Sequence, residues 1–314
     1  MTQLITKERS RAGYAPDAEP VLRMQPGTGE LITFETDDAA YAQMEELRDL
    51  SKLTATINPV TGPVYVQGAE PGDALAVTIH DIEMVDQGWS VYIPGAGALA
   101  DVMGEDWYVR RVPVRDGVVE LAEGISCPAA PMIGCIGVAP ASGEMSTVMP
   151  SYPTGGNMDL TDARPGSTVY LPVEVPGALL AIGDLHAVMS RGESSFVAIE
   201  IAGRATVSVD LVPGLGLRAP RVDTGDELVC VGLGDPVQDS IINAYADLFA
   251  IMTEEYGFSQ QDAYTIMSAL AHTELGGPTG SVAPDPLHPF RAKGQVTLAR
   301  IAKSVLDARG PHRG

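Results

Sequence analysis

The sequence predicts a mainly β chain with α/β character, in which a helical segment follows a long β-rich part. Gly and Pro number 34 and 24 against only 5 Phe and 2 Trp, the composition of many short strands joined by tight turns. Apolar runs of strand length recur between residues 30 and 231, and from Asp239 the apolar spacing switches to a helical period. With 314 residues and 45% hydrophobic side chains, the chain can bury a large core as one domain or two. These shifts divide it into a β-rich core over 1–235 that would carry the site, and a helical segment over 236–314 packed on that core.

Each element has a local reason. ELITFE, from Glu30 to Glu35, alternates as a strand does. Asp37 or Asp38 can then cap a helix whose Tyr41, Met44, Leu47 and Leu50 share one face. Further strands are expected at 74–82, 107–114, 168–175, 179–182, 196–201, 206–212 and 227–231. Ile241, Ile242, Tyr245, Leu248, Phe249, Met252 and Tyr256 line a helix that Gly257 ends. Ser259 followed by Asp262 resembles a capping box for a second helix reaching Leu270. A third helix is expected over 296–308, after the loop GGPTGSVAPDPLHP. Val64-Tyr65, Pro71-Gly72 and Leu75 are echoed by Val169-Tyr170, Pro176-Gly177 and Leu180 at a constant offset of 105. A duplicated strand–turn–strand unit explains the echo, as does the ordinary grammar of Pro-Gly hairpins. If duplicated, the two units would pack as related β-sandwich halves.

Charge narrows the partners. A formal net charge of −21 repels phosphate backbones and anionic bilayers, which argues against nucleic acid and membrane, while a neutral small molecule or a cation stays compatible. MTQLITKERSRAG lacks the apolar stretch of a secretory signal, and no segment approaches a membrane span in apolar length, so a cytoplasmic location is expected. Cys127, Cys135 and Cys230 form no CxxC pair and read as reduced structural thiols. The flanks of Cys135, MIGCIGV, carry no His or Lys to activate it.

The stretch IGDLHAVMSRGE, residues 182–193, concentrates the chemistry. Asp184 and His186 lie at i and i+2, so on an extended backbone both side chains leave one face and can share a cation. Gly183 permits a close backbone approach or a bulge that re-aims them. The turn SRG could fold Glu193 back toward the pair. Asp with His is a borderline N/O donor set suited to Zn²⁺, with a neighbouring carboxylate as general base. A plain Asp–His hydrogen bond at a strand end is the commoner fate of such a pair. Gly155-Gly156-Asn157-Met158-Asp159 is a second candidate, with glycines for close backbone approach to a ligand and an amide and a carboxylate beside them. An Asx turn between strands is the commoner explanation of such a run taken alone.

Taken in order, NPVTGPVYVQGAEPGDALAVTI, IGCIGVAPASGE, GGNMD, STVYLPVEVPGALLAIGDLHAVMSRGE and AIE resemble the acetamidase/formamidase family over roughly residues 20–270. The resemblance implies β-sandwich and barrel-like pieces with a helical C-terminal part. It also implies hydrolysis of small linear amides to ammonia and a carboxylate, a divalent metal (zinc, with calcium the other candidate), and a homo-oligomer. By motif match it assigns Asp38, Asp184 and His186 to the metal and Glu193 to catalysis. Gly155, Gly156, Asn157 and Asp159 are assigned to the substrate.

Departures qualify that transfer. Where the family carries Gly-Asp-Gly before the Glu, this chain has Ser190-Arg191-Gly192, and Arg191 could clasp an anionic substrate group or point to solvent. An N-terminal histidine common in the family is missing from ERSRAGYAPDAEP. From His288 to Gly314 six Lys/Arg face one Asp, a basic tail that could dock on another subunit or form a solvated helix face. Two other readings follow: a hydrolase of a different, anionic amide, and a catalytically silent binding module.

Overall fold

Apolar alternation broken by glycine turns folds into two large sheets and one two-stranded ladder, with 42% strand and 19% helix. The computed structural model describes residues 2–148, 153–277 and 295–309. The nine-stranded sheet runs laterally through Thr2–Ile5, Leu31–Glu35, Gly203–Val212, Ala74–Met84, Thr168–Pro172, Arg221–Asp223, Glu227–Gly234, Gln295–Ala302 and His272–Gly276. The eleven-stranded sheet is centred on Leu180–Val188, flanked by Met132–Gly137 on one side. Its other edge changes partner along its length, pairing first with Val60–Val66 and then with Ile199–Ile201. The largest apolar core draws on both sheets, with Phe34, Leu75 and Val77 from one and Ile133, Ile136 and Leu185 from the other. Among the described residues the sheets stay open and no barrel closes, which corrects the barrel-like part of the expectation.

The echoed units occupy interlocked positions. Val60–Val66 leads through a turn into Ala74–Met84, crossing from the eleven-stranded to the nine-stranded sheet, and Thr168–Pro172 leads back through a turn into Leu180–Val188. The two crossings pair antiparallel in both sheets, Leu171 opposite Leu75 in one and Leu180 opposite Val64 in the other.

The helical region packs on the end of the nine-stranded sheet. Val237–Ala250 continues through a π-helical turn, Ile251–Glu255, and Gln260–Leu270 follows with the Ser259 side chain accepting from the Asp262 amide at 3.0 Å. Ala244, Leu248, Met252 and Ala263 close over Cys230, Ala299 and Ile301 of the sheet. The helix expected over 296–308 is instead the strand Gln295–Ala302 followed by a short helix, Lys303–Asp307. Every residue from Val296 to Arg300 is buried, because the strand lies between Glu227–Gly234 and His272–Gly276. A short run buried on both faces has no period to distinguish it from a helix.

The basic residues of this segment that are described neutralise acids of the same chain. Arg300 meets Asp162, Glu227 and Glu274, Lys303 meets Asp223 at 2.6 Å, and Arg309 meets Asp262 at 3.1 Å. Arg291, Lys293, Arg313 and most of the preceding Gly-Pro loop lie outside the described residues. Among the described residues no helix is long and apolar enough to cross a membrane.

Candidate metal centre

The site opens where Leu180–Val188 changes partner. At that point Asp184 leaves the extended conformation for the left-handed region, φ 57°, so the simple i, i+2 geometry of an extended strand does not hold. His186 lies on the resumed ladder, directly opposite Met132 on one side and Glu200 on the other. Opposed residues of an antiparallel pair project from the same face, which brings Glu200 to the imidazole. Asp159 arrives from the second flank. The amides of Met158 and Asp159 both donate to the Gly134 carbonyl, at 3.0 and 3.2 Å, hooking the chain over the neighbouring strand.

Two glycines make room. A Cβ on Gly134 would lie 2.5 Å from Asp184 Oδ2 and 2.7 Å from Asp159 Oδ1, so the bare backbone is the floor under both carboxylates. A Cβ on Gly183 would lie 2.1 Å from the Pro59 carbonyl, which confirms a close backbone approach there. Asn58, Asp159, Asp184 and Glu193 all adopt positive φ. Left-handed non-glycine residues cost free energy and gather at functional sites.

Three carboxylates each turn one oxygen to His186 Nε2: Glu200 Oε2 at 3.4 Å, Asp184 Oδ1 at 3.5 Å and Asp159 Oδ1 at 3.7 Å. None of these is at the 2.7–3.2 Å spacing typical of a hydrogen bond. The remaining oxygens of two of the acids are anchored. Asp184 Oδ2 accepts from Asn58 Nδ2 at 3.3 Å and from Cys135 Sγ at 3.5 Å, and Glu200 Oε1 accepts from the Ala198 amide at 3.0 Å. Among the described residues, Asp159 Oδ1 and His186 Nδ1 are buried and find no hydrogen-bond partner. Glu193 completes the cluster, forming one group of potential ligands with Asp159 and His186, while Asp184, His186 and Glu200 form another.

The electrostatics follow from burial. His186, Asp159, Glu193 and Glu200 are each at most 5% exposed. Burial raises the Asp159 carboxyl to about 8, His186 opposing and Asp184 and Glu200 adding to the rise. It drives Glu193 well above the ordinary range, with the charge of Asp159 adding to it, and raises Glu200 against the pull of His186. Burial disfavours the imidazolium, but Glu200 and Asp184 outweigh it and hold the His186 pKa well above its usual value. So many acids share one imidazole that the cluster must hold protons or a cation, since buried like charges cannot all ionise uncompensated.

The donor set fits a divalent ion. Ligands about 2.0–2.1 Å from a tetrahedral zinc lie roughly 3.3–3.4 Å from one another, close to the separations around His186 Nε2. The orphaned Asp159 oxygen is the kind of buried acceptor that calls for a missing partner.

The expected residues divide clearly. Asp184, His186, Glu193, Asn157 and Asp159 line one cavity, together with Tyr41, Asn58, Phe196 and Glu200. Asp38 is in neither ligand group among the described residues, and its Oδ2 accepts from Trp89 Nε1 at 2.8 Å instead. Gly155 and Gly156 do not line the cavity but let two backbones close together, pairing with Gly137 and Ile136. Asn157 is committed within the protein, its Oδ1 accepting from Cys135 Sγ at 3.2 Å and its Nδ2 donating to Val148 O at 3.3 Å. Glu200 closes the AIE motif of the family resemblance but is given no role there; its local signal is that of a lone acid inside the apolar run VAIEI. Arg191 neither lines the cavity nor points freely to solvent. It forms a bidentate pair with Asp162, at 2.7 and 3.1 Å. Cys135 is fully buried, as expected of a structural thiol, yet it hydrogen-bonds two groups of the site.

Comparison with known proteins places this arrangement. The sequence profile of the Acetamidase/Formamidase family matches residues 3–148 and 141–227. An acetamidase of Mycolicibacterium smegmatis is 28% identical over 266 residues, 64% of this chain and 65% of that protein. A formamidase of Methylophilus methylotrophus is 28% identical over 258 residues, 63% of each chain. Both alignments thus span less than two thirds of the relative's own length. The crystal structure of an acetamidase from Bacillus halodurans superposes with a TM-score of 0.86 at 28% identity, covering 98% of this chain and 99% of that one. On the match over most of its β-rich part, the chain belongs to the Acetamidase/Formamidase family.

Proposed function

We propose that this chain hydrolyses small linear amides, such as formamide and acetamide, to ammonia and a carboxylate at a site that takes up a divalent cation. The observation that carries the reading is the convergence of three carboxylate oxygens on His186 Nε2 at 3.4–3.7 Å, beside an orphaned Asp159 oxygen. Asp184, His186 and Glu200 would hold the ion, with Asp159 in reach. The imidazole favours zinc over calcium, which prefers an all-oxygen shell. A bound Zn²⁺ would supply Lewis acidity toward the amide carbonyl and lower the pKa of a bound water.

The chain's own groups do the rest. Asn58 Nδ2 and Cys135 Sγ hold one oxygen of Asp184 and leave the other free to ligate. Tyr41 Oη donates to Asn58 Oδ1 at 2.8 Å and fixes that amide. Burial and the charge of Asp159 hold the Glu193 carboxyl well above the ordinary range; as a carboxylate it would take a proton from water and, once protonated, pass it to the departing nitrogen. The cavity holds about 30 Å³ between these groups and Ile93, Phe196 and Val197, against roughly 10–15 Å³ for one water, a confined space that favours the smallest amides. Arg191 is committed to Asp162, so nothing here favours an anionic amide. Self-association, which the family resemblance implies, belongs to the same proposal.

Ammonia release from a panel of neutral and acidic amides, with and without chelator, tests this reading. Turnover confined to the shortest neutral amides, lost on chelation and restored by Zn²⁺, is expected. No ammonia from any amide after metal reconstitution would overturn it.

A further inference from the structure

Arg191 stands two residues before Glu193, and its partner Asp162 three residues after Asp159. The segment around Asp162 is firmly seated: the Ile133 amide donates to the Ala163 carbonyl at 2.9 Å, the Ala163 amide to Leu160 O at 2.8 Å, and Asp162 itself is fully buried. The segment around Glu193 is a pair of consecutive turns. The Glu193 amide donates to Ser190 O at 3.1 Å, the Phe196 amide donates to Glu193 O at 2.9 Å, and Gly192, Glu193 and Phe196 all have positive φ. Two tight turns outside any strand make an arm that could pivot about its ends.

We propose that the Arg191–Asp162 pair is a strap that positions Glu193 against Asp159 and His186, making Arg191 a positioning residue for the reaction proposed above, on which the kinetic part of this inference rests. The two terminal guanidinium nitrogens each donate to a different carboxylate oxygen, at 2.7 and 3.1 Å, a planar fork that fixes direction as well as distance. A third contact, to Glu274 at 3.1 Å, braces the same guanidinium from the strand His272–Gly276. Arg300 also pairs with Asp162, at 3.1 Å. Removing Arg191 therefore leaves Asp162 with a cation, so the strap can be cut without stranding a buried charge. The Arg191 side chain is 36% exposed, within reach of a small solute.

The test compares Arg191→Ala, Arg191→Gln and Arg191→Lys with the parent. Either neutral variant should lose about 10- to 100-fold in kcat with KM little changed, the signature of a displaced reacting group. Bound metal should stay stoichiometric, and added guanidinium should restore the rate saturably. Lysine, which lacks the fork, should recover only part of the rate. Independently of activity, amide hydrogen exchange at Glu193 and Phe196 should speed up about tenfold or more in the neutral variants. A kcat within twofold of the parent, or exchange unchanged at both amides, would overturn the strap. If the parent itself releases no ammonia, the amidase reading fails while the exchange measurement still decides the strap.

Discussion

Adding one methyl group at Gly134 should disable the site far more than it destabilises the fold. A Cβ there would sit 2.5 Å from Asp184 Oδ2, 2.7 Å from Asp159 Oδ1 and 2.9 Å from the Asp184 carbonyl. Carbon–oxygen contacts normally begin near 3.3–3.6 Å, so each carboxylate must retreat by roughly 0.6–1 Å. Gly134 is not among the glycines with positive φ, which leaves sterics as the whole effect. Overpacking of this kind costs about 1–3 kcal/mol of stability. A misplacement near 1 Å in a catalytic constellation costs about 100-fold in rate. Gly134→Ala should therefore lower kcat/KM for acetamide by roughly two orders of magnitude and shift the urea midpoint modestly. A kcat/KM within threefold of the parent and an unchanged midpoint would refute the idea that this bare backbone is the floor of the site.

Other perturbations separate the parts of the account. Glu193→Gln should cut turnover by about 10²–10⁴-fold and retain bound metal, as read by single-turnover kinetics and elemental analysis; undiminished activity would remove Glu193 from the mechanism. Gly183→Ala places its Cβ 2.1 Å from a backbone carbonyl, Pro59 O, which no side-chain rotation relieves. It should cost more stability than Gly134→Ala, about 3 kcal/mol or above, measurable by urea denaturation. Asp162 gives the pH dependence. Burial pushes its carboxyl up, but Arg191 and Arg300 outweigh burial and leave it below the ordinary value. A folded pKa below the unfolded one, about 3.9, means its stabilisation is fully present above the unfolded value and lost as pH falls through the folded one. Melting temperature should fall below about pH 4 in the parent and less steeply in Asp162→Asn. Equal slopes would contradict the assignment.

The strands most legible in the sequence were those buried on one continuous core. The run expected at 74–82 became Ala74–Met84, and that at 227–231 became Glu227–Gly234. The strand expected over 179–182 runs six residues further than that. Leu180–Val188 carries its ladder past Gly183, Asp184 and His186, because buried partners on both sides receive polar side chains that a solvated strand would not need. The segment Gln295–Ala302 reads as helix in the sequence because it is buried on both faces, Thr297 and Arg300 included, and so shows no strand alternation.

At the site, Asp184, His186 and Glu193 were legible because titratable residues crowd one apolar stretch. Glu200 was not, since its nearness to His186 comes from cross-strand register, which local spacing does not encode. Asp38 lies close in the chain to a helix start, where its carboxylate is used by Trp89 Nε1. The tie between Arg191 and Asp162 crosses two loops 29 residues apart, beyond any local pattern.

The central claim is that the buried acids around His186 form a cation site. Calorimetric titration of Zn²⁺ into chelator-stripped protein addresses it directly, beside His186→Ala under the same conditions. One tight, saturable event per chain that disappears with the imidazole is the predicted result. Absent or non-stoichiometric binding to the parent, or the same isotherm in the variant, would contradict it.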